Sequence, residues 1–135
     1  MSVAKQNKEI TTVTCLYETT KVLASSMDLS DCLKRTMAIL SGFTTFQNGT
    51  VTIVNPLTGQ LEIEVAHGLT AEARKRGVYK IGEGITGRVV ATGEPIIVPR
   101  ISEEPLFLNR TRSRGSKTNR PTSFLCVPIK NGQDV

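Results

Sequence analysis

Residues 81–100 read IGEGITGRVVATGEPIIVPR, and glycines at 82, 84, 87 and 93 divide that stretch into turn, short helix, stop and strand. Gly82 and Gly84 free the backbone to adopt positive φ. A helical turn or two is expected through Thr86, Gly87, Arg88, Val89, Val90 and Ala91, with Gly93 where a C-terminal cap belongs. Pro95 prevents the helix from continuing, and Ile96, Ile97 and Val98 have the β-branched character of a short strand. Gly82, Gly84 and Gly87 also fit the spacing G-x-G-x-x-G, which invites a phosphate-binding reading. The surroundings oppose it. Only Val78, Tyr79, Lys80 and Ile81 precede the glycines, too short and too polar for the first strand of a doubly wound sheet, and Gly93 cuts the helix off early. No GxxxxGK[ST] occurs anywhere in the chain.

Outward from this stretch, a change of period sorts the chain into elements. Between Glu9 and Met27, Ile10, Val13, Leu16, Tyr17, Leu23, Ala24 and Met27 form a narrow helical stripe, with residues 1–8 expected as a disordered lead-in. Asp28 or Ser30 can cap a second helix in which Leu29, Leu33, Met37 and Leu40 recur, ending at Ser41-Gly42. So narrow a stripe on the first helix suits a neighbouring helix, and pairing with a second copy is its natural use. Thr50 to Val54 then form a β-branched run, and Leu61, Ile63 and Val65 alternate with Glu62 and Glu64 across a turn at 55–59. That is a hairpin with one face exposed. Thr70 can cap a short helix ended by Gly77, and Phe124 to Val127 make another strand. The order α, α, β, β, α, β, α, β, loop, β describes an α+β domain over residues 9–135. It has a central, mainly antiparallel sheet, two N-terminal helices on one face and short helices and loops on the other. Asn131-Gly132 is a hairpin-turn signal, so a further strand is expected beyond this stretch of sequence.

Composition narrows the function. The net charge of +5 comes from one place: Arg110, Arg112, Arg114, Lys117 and Arg120 lie in the acid-free segment RTRSRGSKTNR, and without them twelve basic side chains face twelve acidic ones. Such a loop can be a solvated surface segment or a lid that meets an anion. Nucleic-acid contact is not expected, because no aromatic residue interleaves the charges. With no long apolar run and no leader pattern, the expectation is a cytoplasmic protein without membrane contact. Cys15, Cys32 and Cys126 are widely spaced and include no CxxC, as ordinary thiols in a reducing compartment would be. His67, the one histidine in the chain, has no base or orienter placed for catalysis, so a structural role at its strand end is expected and no enzyme activity.

AHGLT at 66–70, GVYKIGEGITGRVVATGEPIIVP at 77–99, EEPLFLNRT at 103–111 and SFLCVPI at 123–129 resemble the GAF domain, a small-molecule sensing module. The segment EPLFLNRT narrows the resemblance to the N-terminal GAF domains of NifA-type nitrogen-fixation activators. The resemblance implies a regulatory domain ahead of an AAA+ ATPase acting on sigma-54 RNA polymerase, with 2-oxoglutarate or another small anion as effector. It implies a pocket between the sheet and residues 78–120, where Arg88, Arg100, Asn109, Arg110 and Arg112 are the candidate anion ligands. It leaves open two other readings: a homodimerising module that docks a regulatory protein, its pocket filled by its own side chains, and a redox sensor.

Overall fold

The computed structural model describes residues 2–112 and 121–135, so Arg114, Lys117 and Arg120 of the basic loop lie outside the described residues. The elements, in chain order, are α1 (Val3–Ser25), α2 (Leu29–Phe43), β1 (Gly49–Val54), β2 (Leu61–His67), α3 (Ala71–Arg76), β3 (Val78–Tyr79), α4 (Gly84–Thr92), β4 (Ile96–Val98), a 3-10 turn (Ile101–Glu103) and β5 (Phe124–Cys126). This is the expected order. The chain divides into two compact units, residues 1–51 with 64–69 and residues 52–63 with 70–135.

In the first unit α1 begins at Val3, ahead of the Glu9 start read from the stripe, because Ser2 supplies an N-cap and accepts from the Lys5 N–H. Asp28 caps α2, accepting from Asp31 N at 2.7 Å. The two helices pack together, but α1 does not use its apolar stripe for that contact. Val22 is buried and Cys15, Thr19 and Ser26 half-buried, at helical spacing on the inner side. The buried Cys32 thiol of α2 donates to the Ser26 carbonyl at 3.4 Å. Small side chains on the inner side allow close approach, and the stripe through Ile10, Val13, Leu16, Tyr17 and Leu23 stays between 51% and 65% exposed. His67 at the end of β2 meets Phe46 edge to face at 5.8 Å, a packing role.

In the second unit the hairpin tip is closed by an Asx turn, with Asn55 Oδ1 accepting from Leu57 N at 2.9 Å. Leu61 and Ile63 of β2 are buried and Glu62 is half-buried, and the alternation continues in the part of β2 that belongs to the first unit, where Val65 is buried and Glu64 half-buried. Thr70 caps α3 through Ala73 N, and Gly77 ends that helix. β3 pairs antiparallel with β2 in the register Leu61 with Tyr79 and Glu62 with Val78. β4 and β5 pair antiparallel through Ile96 with Cys126, Ile97 with Leu125 and Val98 with Phe124. The strands form a three-stranded sheet, β1-β2-β3, and a separate two-stranded sheet, β4-β5, where one central sheet was expected. Within the described residues no ladder joins the two, and after Lys130 the backbone turns on itself in an isolated bridge between Asn131 and Asp134.

Candidate functional site

The turn ahead of α4 is held by its own backbone. Gly82 N donates to Gly87 O at 2.8 Å, Glu83 N to Lys80 O at 3.0 Å and Gly87 N to Glu83 O at 3.0 Å. Gly82 and Gly84 have φ of 87° and 62°, the left-handed side that the sequence led us to expect. A phosphate cradle needs free N–H groups at such a turn. Here those of Gly82 and Glu83 are already bonded within the turn. Gly93 closes the far end in the left-handed conformation, its N–H donating to Val89 O.

Beneath α4 lies an apolar cluster. Ile85, Val89 and Val98 are buried, with Ile96, Ile101, Phe107, Phe124 and Cys126 packed against them. The Phe107 and Phe124 rings meet at 5.4 Å in an edge-to-face arrangement. Burial pushes the Cys126 thiol up, against a smaller opposing bond with the Thr86 side chain. A thiol held protonated in this way is a poor nucleophile.

The five candidate anion ligands do not behave alike. Arg110 turns inward: Nη1 donates to the Val78 carbonyl at 2.6 Å, Nη2 pairs with Glu83 Oε1, and the guanidinium lies 5.4 Å from the centre of the Tyr79 ring. The second Glu83 oxygen accepts from Lys80 N at 2.9 Å. That backbone bond, with the Arg110 and Lys80 charges, holds the Glu83 carboxyl below its ordinary value against partial desolvation. Asn109 and Arg112 flank Arg110 with φ of 44° and 51°, in a turn where Arg112 N donates to Asn109 O. Arg76 reaches this turn from α3, Nη2 donating to Thr111 O at 2.8 Å. Asn109, Arg110 and Arg112 therefore share one backbone turn at the start of the basic segment, and of the three only Arg110 is shown reaching Val78, Glu83 and Tyr79. Arg100 instead pairs with Glu103 at 3.2 Å on an exposed surface, and Arg88 is an exposed position on α4. Glu83 and Tyr79 were not among the sequence candidates. The available signal for Glu83 was an acid wedged between two glycines immediately before a helix.

Among the described residues, no group of three His, Cys, Asp or Glu is placed to hold a metal ion. Nor is any helix there long and apolar enough to cross a membrane.

Comparison with known proteins agrees with this architecture. The chain is 40% identical over 121 residues to the nitrogen fixation protein AnfA of Azotobacter vinelandii, covering 89% of this chain and 22% of that protein. It is 37% identical over 129 residues to the Nif-specific regulatory protein of Herbaspirillum seropedicae, covering 96% of this chain and 23% of that protein. The chain thus spans less than a quarter of the length of these relatives. Among solved structures, the nlh2 GAF domain of A. aeolicus in an inactive state matches with a TM-score of 0.78 at 24% identity, over 95% of this chain and 76% of that one. The free methionine-R-sulfoxide reductase of Neisseria meningitidis, in complex with its substrate, matches with a TM-score of 0.72 at 16% identity, over 95% of this chain and 70% of that one. Both structures share the fold, and the family model for the GAF domain matches residues 28–135. By that match, and by the order of its helices and strands, the chain belongs to the GAF domain family.

Proposed function

We propose that this domain is the regulatory sensor of a bacterial nitrogen-fixation transcriptional activator, working in the cytoplasm and modulating an adjacent AAA+ ATPase that acts on sigma-54 RNA polymerase. The observation that carries this reading is similarity to Nif regulators at 37–40% identity across nearly the whole chain. The effector we assign is a small anion, 2-oxoglutarate foremost. Support comes from the gathering of Asn109, Arg110 and Arg112, with Arg110 already engaged by a carboxylate. An effector shifts the regulator only if its affinity differs between the two states of the domain. Calorimetry with 2-oxoglutarate tests the assignment. Binding is expected, and ligand at about 100 times its Kd stabilises the fold by about 2.7 kcal/mol. No heat and no thermal shift at millimolar ligand would remove 2-oxoglutarate.

A second reading is favoured by the exposed stripe of α1, which places Ile10, Val13, Leu16 and Tyr17 in solvent. The occupant is a second copy of the chain, giving a homodimer with the stripe of each α1 against the other, and a regulatory protein docks on that assembly. Replacing Leu16 and Tyr17 together by glutamate is expected to convert a dimer to a monomer in light scattering. A wild-type monomer at high concentration would sink the reading.

A further inference from the structure

The carboxylate cradle of this domain is already full. Glu83 spends its two carboxylate oxygens on two different donors, Arg110 Nη2 and the Lys80 N–H. The Lys80 charge also favours an anion at that point. Arg110 is not held by Glu83 alone, since the Val78 carbonyl and the Tyr79 ring fix the guanidinium independently. The cradle therefore survives the departure of its occupant. The occupant, in turn, is free to leave: the Glu83 side chain is 32% exposed and makes no capping bond to α4. Swinging it into water frees the Lys80 N–H but removes no capping bond from α4 and no member of the apolar cluster.

We propose that Glu83 is a built-in competitor, and that a small dicarboxylate binds this domain by displacing the Glu83 side chain from Arg110 and Lys80. The proposal rests on the anion-sensing reading above and gives it a specific site. One carboxylate of the ligand takes the two donors that Glu83 now bridges, and the other lies toward the Lys80 ammonium. A tethered carboxylate acts at an effective concentration in the millimolar range. A ligand that binds only when Glu83 is out has its apparent affinity lowered by the fraction of time that it is out. Glu83 thus sets the concentration at which the domain responds. Its displacement also breaks the side-chain link between the α4 turn and the segment carrying Arg110, and that loss is the signal.

Calorimetry on the full chain with 2-oxoglutarate as probe compares wild type, Glu83→Gln, Glu83→Asp and the double variant Glu83→Gln with Arg110→Ala. Glu83→Gln removes the competing charge and is expected to tighten binding about tenfold, the change that follows if Glu83 fills the cradle about nine-tenths of the time. Glu83→Asp draws the carboxylate back by one methylene and is expected to tighten binding less, serving as the second variant should the glutamine disturb the turn. Adding Arg110→Ala is expected to abolish the gain. Equal or weaker binding by both single variants, with wild type still binding, would overturn the competitor and leave the anion-sensing reading to other residues. No binding by wild type with binding by Glu83→Gln would support the competitor strongly. No binding by any of the four proteins at millimolar probe would overturn both ideas.

Discussion

Gly87→Ala is expected to destabilise the domain by about 2–3 kcal/mol, although the same change in most exposed helix interiors stabilises by about 1 kcal/mol. The reversal follows from position. Gly87 is buried within α4, and a Cβ there would lie 2.3 Å from the Lys80 carbonyl oxygen and 3.0 Å from Gly82 N. Both neighbours are backbone atoms of the preceding turn, and each is fixed: Lys80 O accepts from Glu83 N, and Gly82 N donates to Gly87 O. The methyl group cannot be accommodated by rotating a side chain, so the turn must open and the Gly82 to Gly87 bond with it. For a domain of this size the thermal midpoint should fall by roughly 8 °C, at about 3–4 °C per kcal/mol. Gly82→Ala is the comparison. Nothing lies within 4 Å of a Cβ at Gly82, so only its φ of 87° opposes the change, at about 1–2 kcal/mol. A thermal midpoint for Gly87→Ala at or above that of wild type would show that the turn is not packed as described.

The reach of the sequence can be seen in the same residues. Turn, helix, stop and strand at 81–100 were legible because each depends on neighbours within a few positions: glycines that allow positive φ, a proline that ends a helix, β-branched residues that follow. The alternation in β2 was legible for the same reason, since Leu61, Ile63 and Val65 declare a buried face against Glu62 and Glu64. In α1 the pattern was read correctly as a helix, but periodicity does not state which side meets a neighbour. The contact with α2 went to the side carrying Cys15, Thr19 and Val22, because small residues let two helices approach. At the candidate site, Arg110 was legible as one of several cations in an acid-free segment. Its partner Glu83 is 27 positions away, a pairing that only the folded chain specifies. Arg88 and Arg100 looked equivalent to Arg110 in sequence, and burial together with local acids separates them. Glu103, three residues from Arg100, takes that arginine at the surface.

Leu61→Ala is expected to cost about 3–4 kcal/mol, the range for deleting a fully buried leucine side chain whose surroundings relax only in part. Leu61 has 0% exposure and is among the largest fully buried side chains of the domain. Leu57, a few residues earlier at the hairpin tip, is 93% exposed, and Leu57→Ala should change stability by less than about 0.5 kcal/mol. The two leucines are close in sequence and identical in chemistry, so the contrast isolates burial. Leu61 also sits opposite Tyr79 in the β2 and β3 pairing, and the Tyr79 ring lies beside the Arg110 guanidinium. A cavity at Leu61 therefore loosens the strand that supports the cradle. The alanine variant should lose about 10 °C or more in thermal midpoint, at roughly 3 °C per kcal/mol. It should also bind a dicarboxylate probe more weakly than wild type at a temperature where both are folded. A Leu61→Ala protein as stable as the Leu57→Ala protein would contradict the placement of Leu61 in the core. Full stability loss with unchanged binding would separate the core of β2 from the cradle, leaving the Val78 carbonyl as a sufficient support for Arg110.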